Sequence, residues 1–202
     1  GPDSIPEYME ISLGDKKVLD KSEMMIYEML ARNDWKRPIY MSVTLGQGNM
    51  AGLENYLVLE GLAYRLTPFK VGLGTIDVDK MYDNLMHKFK FGGIDKEGIY
   101  LDETVLRMAQ THRRMFVQLS TELIKEGKDE MALKALDYCQ QVIPSSNVPH
   151  DYIMSSSKEM ADNYWALGEK EKAEAIYSEL ANKSIEYIAW YLTLDDMKLA
   201  SV

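Results

Sequence analysis

The 202-residue sequence is poor in cysteine, in long apolar runs and in basic residues. Its single cysteine, Cys139, excludes an intrachain disulfide and a zinc site built from several thiolates. The longest stretch without a charge, residues 38–53, contains polar side chains and three glycines, which excludes a membrane-spanning helix there. Because 32 acidic residues outnumber 23 basic ones, the net charge of −9 disfavours a nucleic-acid partner.

Sequence motifs for catalysis or metal binding are also missing. The three histidines have no metal-type spacing, and the sequence contains no Gly-x-Ser-x-Gly elbow for a nucleophilic serine. The acidic triplet Asp77, Asp79 and Asp83 lacks the glycine and the bidentate glutamate that an EF-hand loop requires. The sequence therefore predicts no catalytic residue, no metal site and no cofactor.

The first half of the chain mixes strand and helix patterns. Asp20 and Glu23 form a capping-box pattern, which predicts a helix that continues to about Arg32. The composition and alternation of apolar residues predict strands and further helices. These further elements are strands over residues 8–13, 39–45 and 63–70, a helix over residues 53–62, and a helix that Asp77 caps and that ends near Phe89.

The second half of the chain has the period of α-helices. From Asp102 onward, apolar residues step by three and four, as one face of a long helix requires, until Gly127. Further helices are predicted over residues 128–143, about 152–167 and about 171–181. A final segment, residues 184–199, fits a third-repeat helix or a cap.

The two predicted helical pairs share a pattern at an offset of 41 residues. This offset resembles the tetratricopeptide repeat, a helical hairpin of about 34 residues with small residues where the helices cross. The excess length falls in the polar loop after Pro144, and Ile185 occupies the position of the second proline. The matched positions are Leu119, Leu123, Gly127, Ala132, Leu136 and Cys139 with Met160, Tyr164, Gly168, Ala173, Tyr177 and Leu180.

Together these patterns predict an α+β protein. A small mixed α/β domain is expected over residues 1–100, and a tetratricopeptide-like array of helical hairpins over residues 101–202. A single helical pair cannot bury both of its apolar faces, so the pairs are expected to stack and to present a concave surface to a partner.

Two further patterns are interpreted as packing. Five methionines fall at helical spacing, which core filling explains more simply than an adaptable binding groove: Met24, Met25, Met29, Met81 and Met86. His112 lies on the apolar face of its helix, where a hydrogen-bonded core histidine is more common than a general base.

Eight side chains are candidates for contacts with a ligand or a partner surface. Cations interleaved with aromatic rings can hold anionic groups or glycans, although long basic side chains also commonly lie along apolar surface. Convergent polar groups in the α/β half could line a ligand pocket. The candidates are Trp35, Arg37, Tyr40, Asn55, Glu60, Arg65, Lys88 and Lys90.

Four ordered strings carry a family resemblance: NDWKRPIYMSVT at 33–44, GLENYLVLEGLAYRLTP at 52–68, MYDNLMHKFKFGGID at 81–95 and YLDETVLRM at 100–108. They resemble the soluble C-terminal region of bacterial multi-spanning membrane proteins related to protein O-mannosyltransferase-like glycosyltransferases. The resemblance implies a periplasmic accessory domain on the inner membrane, joined to it by N-terminal spans absent from this sequence. It implies recruitment of a protein or peptide acceptor and carries no catalytic residue onto this chain.

Two functions therefore remain open, beside a fully structural role in which the chain braces the membrane portion and both halves have an unremarkable surface. The favoured one is a non-catalytic binding domain of a membrane-embedded glycosyltransferase. The alternative is a small ligand-binding or enzymatic α/β domain that the helical repeats support. A buried charged pair among Tyr40, Asn55, Glu60 and Arg65 would favour the alternative, whereas a filled α/β interior and a smooth repeat groove would favour the first.

Overall fold

The computed structural model of the chain describes residues 5–14, 16–46, 49–150 and 155–194. Within these residues the fold is α+β, as predicted, with six α-helices and one three-stranded sheet. The chain divides into two compact units, Gly1–His87 and Lys88–Val202. The observed boundary precedes the predicted one near residue 100, because Phe91 already packs against Phe116 and Tyr138 of the second unit.

Helix α1, Lys21–Asn33, begins at the predicted capping box. The Asp20 carboxylate accepts a hydrogen bond from the Glu23 backbone N–H at 2.8 Å, and the Glu23 carboxylate accepts one from the Asp20 N–H at 3.0 Å. These bonds satisfy two of the backbone donors that a helix start leaves unpaired. The prediction of this helix is confirmed.

The sheet consists of β1 (Tyr40–Ser42), β2 (Leu57–Leu59) and β3 (Ala63–Leu66) in the antiparallel order β1-β3-β2. Side chains alternate between the two faces of a sheet. One face directs apolar side chains, including Met41, into a core that α1 covers. The opposite face carries Arg65, whose cross-strand neighbours are Tyr40 and Val58.

Two predictions for the first unit are wrong. Residues 53–62 form a short 3₁₀ turn, Glu54–Tyr56, and then β2, rather than a helix. An apolar run of this length fits a buried strand as well as a helix, and pairing with β3 decides between them. Residues 8–13 form no strand, because side-chain contacts hold this segment instead: the Tyr56 hydroxyl donates to the Glu10 carbonyl at 2.6 Å.

Gly52 is the point at which this N-terminal segment approaches the core most closely. Its φ of +71° lies in the left-handed region, and a Cβ atom built there would stand 2.3 Å from the Ser12 carbonyl oxygen. Both the backbone conformation and the lack of space therefore require glycine at this position.

Helix α2, Val78–Asp83, begins where Asp77 was predicted to cap it, and continues as a π-helical turn, Asn84–Lys88. The Asp77 carboxylate accepts from the Lys80 backbone N–H at 3.1 Å. The backbone of Leu59 accepts from Asp77 and donates to Thr75, which ties the start of α2 to β2.

The second unit contains α3 (Glu103–Lys125), α4 (Asp129–Val142), α5 (Ser157–Ala166) and α6 (Lys170–Tyr191). Helices α3 and α4 form one hairpin, α5 and α6 form the next, and α5 packs on α3. The predicted start of the third helix near residue 152 lies outside the described residues. The predicted break near residue 181 is wrong, because α6 continues through Ile185, where the first hairpin has the helix-ending Pro144.

The turns of the two hairpins are equivalent at the 41-residue offset. Each turn contains a glycine with positive φ, Gly127 in the first hairpin and Gly168 in the second. The N–H of each glycine donates to the carbonyl three residues earlier at 3.0 Å. The next residue in each turn donates to the carbonyl five residues earlier. Ala132 and Ala173, the predicted close-crossing residues, are both fully buried. The two hairpins thus repeat one local structure.

Asn163 joins the two hairpins through a buried polar contact. Its side-chain amide on α5 donates to the hydroxyl oxygens of Ser120 and Thr121 on α3, each at 2.9 Å. Because a buried amide needs partners, these hydrogen bonds select one relative position for α3 and α5.

Candidate functional site

A buried carboxylate, Glu60, is the centre of a polar cluster in the first unit. One oxygen accepts from the guanidinium of Arg65, and the other lies 2.7 Å from the Lys80 ammonium. The Tyr40 hydroxyl donates to that second oxygen at 3.2 Å. Only 4 % of Glu60 is exposed. A buried charged pair is therefore present among the predicted residues.

The sheet register brings this cluster together. Tyr40 and Arg65 face each other across β1 and β3, and Glu60 follows β2 on the same face, two residues after Val58. Helix α2 contributes Lys80, and its continuation contributes Asn84, whose amide donates to the Glu60 carbonyl at 2.6 Å. The cluster therefore ties all three strands to the α2 segment.

The partners of Glu60 keep it ionised. Burial by itself raises the pKa of a carboxyl group, but hydrogen bonds from Arg65 and Lys80 outweigh burial and hold the pKa of Glu60 below its usual value. The same contacts raise the pKa values of Arg65 and Lys80. Since both carboxylate oxygens already accept hydrogen bonds, Glu60 is arranged to stabilise the fold rather than to accept a proton from a substrate.

The other candidates from the sequence lie away from Glu60 or point elsewhere. Asn55 is exposed, and its backbone carbonyl accepts from Val71 and Gly72. Trp35 is half-buried against the core of the first unit. The remaining candidates, Arg37, Lys88 and Lys90, are exposed.

Sequence reasoning missed Lys80, the second cation of the cluster. Lys80 lies in the first turn of a capped helix, where a lysine usually extends into solvent, and no spacing in the sequence relates it to residue 60. Its position follows only from the packing of α2 on β2. The structure thus joins Lys80, which no sequence pattern indicated, to three predicted residues, Tyr40, Glu60 and Arg65.

The prediction that methionines fill the core is confirmed for Met81, which is completely buried, and wrong for the three methionines of α1. Met24, Met25 and Met29 are 59 %, 64 % and 50 % exposed. Helix α1 instead packs on the core through the neighbouring face that contains Ile26 and Leu30. Helical spacing identifies residues that share a face, but it does not say which of two apolar faces is buried.

In the second unit, Arg113 of α3 is completely buried and fastens the loop between the hairpins. Its guanidinium donates to the carbonyl oxygens of Ile143, Val148 and Pro149 at 3.1, 2.5 and 3.1 Å. The planar group with five N–H donors suits several carbonyls at once. The loop that lengthens the repeat is therefore held by a side chain that the sequence analysis did not select.

His150, at the end of this loop, is buried with a low pKa. Its Nδ1 atom lies 2.8 Å from the Ser157 hydroxyl, and its backbone N–H donates to Glu179 at 3.0 Å. Burial, reinforced by the charge of Arg113, lowers the pKa of His150 to about 4. Ser157 is itself fully buried, so a substrate cannot reach its hydroxyl, and the pair is a packing contact rather than a nucleophile with its base.

The stability of the fold is expected to fall as the pH drops from about 6.5 to about 4. Over this range the unfolded chain binds a proton at His150 that the folded chain excludes. This difference lowers the free energy of unfolding by up to about 3 kcal/mol. Urea unfolding at a series of pH values, compared between the wild-type protein and His150→Asn, measures this effect. The variant is expected to show a flatter dependence on pH.

The control for this measurement is His87→Asn, because His87 is exposed. It is expected to leave the pH dependence of the wild-type protein unchanged. If the His150 variant kept the full pH dependence, the burial of a neutral His150 would not be its cause.

A cavity of about 280 Å³ lies between α4 and α6, beside His150. On its wall the Asp137 carboxylate accepts from Lys172 at 2.8 and 2.9 Å and from the Tyr164 hydroxyl at 3.0 Å. The Asp137–Lys172 pair links α4 to α6 across the groove. The other lining residues are Gln140, Ser145, His150, Ala175, Ile176 and Glu179.

Phe91, the aromatic neighbour of the predicted contact residues Lys88 and Lys90, is half-buried against the interior rather than exposed on the surface. Phe91 packs against Phe116 and His112, with ring centroids 5.9 and 5.8 Å apart, and so belongs to the interior of the second unit. His112 is half-buried, and its Nδ1 atom lies 2.7 Å from the Met108 carbonyl, in agreement with a hydrogen-bonded packing role.

These features define an α+β chain in which a small sheet unit precedes two repeated helical hairpins. Residues 2–83 match the family model described as TMEM260-associated domain 2, so the first unit is similar to a domain associated with a membrane protein family. The match covers less than half of the chain. No curated protein and no solved structure matches the chain. None of the helices in the described residues has the length and apolar character that crossing a bilayer requires.

Proposed function

We propose that this chain is a non-catalytic accessory domain that holds a protein or peptide acceptor for a membrane-embedded, O-mannosyltransferase-like glycosyltransferase on the periplasmic side of the bacterial inner membrane. The observation that carries the binding role is the pair of stacked hairpins with equivalent turns and crossing alanines. Stacked hairpins bury their cores against each other and leave grooves between successive helices for a partner. The family-model match over residues 2–83 supports the association with a membrane protein.

The groove between α4 and α6 is the proposed acceptor site. Its lining combines hydrogen-bonding groups, such as Gln140 and Glu179, with the apolar side chain of Ile176. A peptide needs both, because its backbone amides require hydrogen-bond partners while its side chains bury apolar surface. The ion pair between Asp137 and Lys172 joins the two walls of the groove.

The buried pair Glu60–Arg65 favours a second candidate function, a ligand-binding or enzymatic α/β domain. One cavity in this unit, of about 550 Å³, is bordered by Leu57 and Tyr64, which lie on the other face of the sheet from Glu60. The charged pair and this cavity are therefore separated by the sheet, which makes the second candidate the weaker one.

Two measurements test the favoured function. Fluorescence anisotropy with a labelled Ser/Thr-rich acceptor peptide is expected to show saturable binding, and incubation with polyprenyl-phosphate mannose and the same peptide is expected to give no mannosyl transfer. Gln140→Arg, which fills the groove, is expected to weaken peptide binding about tenfold, equivalent to about 1.4 kcal/mol.

The matched control is Gln110→Arg, the same change on α3, which is expected to leave the affinity unaltered. Equal peptide affinities for Gln140→Arg and Gln110→Arg would show that the groove between α4 and α6 is not the acceptor site. Mannosyl transfer by the chain alone would instead support the enzymatic alternative.

A further inference from the structure

Helix α6 is longer than its counterpart in the first hairpin. At the 41-residue offset, α4 (Asp129–Val142) corresponds to residues 170–183, whereas α6 continues to Tyr191 and its C-cap is Leu192. The helix continues because Ile185 replaces the proline that follows α4. Residues 184–192 are called the α6 extension below.

The α6 extension exposes large apolar side chains over more than half of its circumference. At 100° per residue, positions 190, 187, 188, 192 and 185 follow one another around about 220° of the helix, and Glu186 and Ala189 occupy the remaining sector. Glu186 is the only charged residue in the segment. An apolar helix face of this width normally packs against protein or lipid. The exposed residues are Ile185 (63 %), Tyr187 (49 %), Ile188 (59 %), Trp190 (50 %) and Leu192 (81 %).

A second copy of the chain is a poor fit for this segment. Nine helical residues extend over about 13 Å. A stable interface normally needs about 800 Å² and 20–30 residues from each partner. The net charge of −9 also opposes the close approach of two copies.

A lipid surface fits the chemistry of the segment better. Tryptophan and tyrosine rings prefer the headgroup region of a bilayer, while isoleucine and leucine side chains enter its apolar edge. The segment is too short to span the hydrocarbon core. It contains no lysine or arginine to attract anionic lipids, so its charge matches a neutral, zwitterionic bilayer.

We propose that the α6 extension docks this chain onto the headgroup region of a neutral lipid bilayer through this apolar sector, with Tyr187 and Ile188 at its centre and Trp190, Ile185 and Leu192 at its edges. This contact goes beyond the proposed acceptor binding and uses different residues from the groove between α4 and α6. The acceptor and the bilayer therefore bind to separate surfaces of the second unit.

Vesicle binding by the chain tests this proposal. In a Trp35→Phe/Trp165→Phe background, Trp190 is the sole tryptophan, and its emission is expected to shift to shorter wavelength on addition of phosphatidylcholine vesicles. Replacing Ile185, Ile188 and Leu192 by serine is expected to reduce co-sedimentation with these vesicles at least about tenfold, since three aliphatic side chains no longer insert. Because the replaced side chains are exposed, circular dichroism is expected to show an unchanged fold.

The matched control replaces Met24, Met25 and Met29, which are similarly exposed on α1, by serine, and it is expected to bind vesicles like the parent. Raising the salt concentration from about 0.1 to about 0.5 M is expected to leave binding to neutral vesicles unchanged. Adding phosphatidylserine is expected to weaken it, because the chain is acidic.

Three results would overturn the proposal. The first is an unchanged Trp190 emission in the presence of vesicles. The second is an emission shift that follows protein concentration without lipid, which would identify a second copy as the partner. The third is equal loss of vesicle binding in the methionine control, which would show that any exposed apolar face binds equally well.

Discussion

Replacing Arg113 by methionine is expected to lower the free energy of unfolding by about 3 kcal/mol or more. The substitution removes the donors that now satisfy the carbonyl oxygens of Ile143, Val148 and Pro149. Because Ile143 and Val148 are fully buried, their carbonyls have no easy access to water after the change. Urea unfolding followed by circular dichroism measures the difference.

Arg114→Met is the control for this prediction, since Arg114 is the next residue on α3 and is only half-buried. It is expected to change the unfolding free energy by less than about 1 kcal/mol. Arg113→Lys is expected to lie closer to Arg113→Met than to the wild-type protein, because one ammonium group cannot reach three carbonyls in the fork geometry of arginine. If Arg113→Met lowered the free energy of unfolding no more than Arg114→Met does, the loop would not depend on Arg113.

The second large effect is expected for Glu60→Gln, which should lower the unfolding free energy by about 2 kcal/mol at neutral pH. The change leaves Arg65 and Lys80 beside a neutral amide. Removing one partner of a fully buried pair typically costs about 3–5 kcal/mol. The loss is smaller here because the side chains of Arg65 and Lys80 are 33 % and 41 % exposed and water can solvate them.

The dependence of this loss on pH has a definite sign. The pKa of Glu60 is lower in the folded chain than in the unfolded one. The contribution of Glu60 to the free energy of unfolding is therefore complete above the unfolded pKa and disappears as the pH falls through the folded pKa. The unfolding free energies of the wild-type protein and Glu60→Gln are therefore expected to converge in acid. The measurement is urea unfolding of both proteins between neutral pH and acid.

Glu10→Gln is the matched control, because Glu10 forms an ion pair with Lys70 at 3.1 Å on the surface. Exposed pairs contribute little, so this change is expected to cost less than about 1 kcal/mol. Equal losses for the two glutamates would mean that burial of Glu60 is unimportant. If Glu60→Gln instead abolished binding of a small ligand and left stability unchanged, the ligand-binding alternative would gain support.

The helix starts and the hairpin repeat could be predicted from the sequence because their signals are local. Asp20 and Asp77 each cap the helix that they were predicted to cap. In the turns, Gly127 and Gly168 have the positive φ that glycine adopts most easily. Such features depend on a few neighbouring residues and need no information about the rest of the chain.

The errors in the sequence analysis occur where two local structures have similar energies. Residues 53–62 are apolar enough for a helix or a buried strand, and only their pairing with β3 selects the strand. The α1 methionines lie on one face and Ile26 and Leu30 on another, and only the position of the core selects which face is buried.

The sequence by itself therefore determined the fold class, the helix caps and the repeated hairpin, because each depends on backbone conformation within a few residues. The tertiary structure alone decided that Lys80 joins Tyr40 and Arg65 around Glu60, and that Arg113 fastens the loop between the hairpins. These contacts join residues far apart in the chain, and burial fixes their partners, because a charge removed from water must find hydrogen bonds wherever the packing provides them.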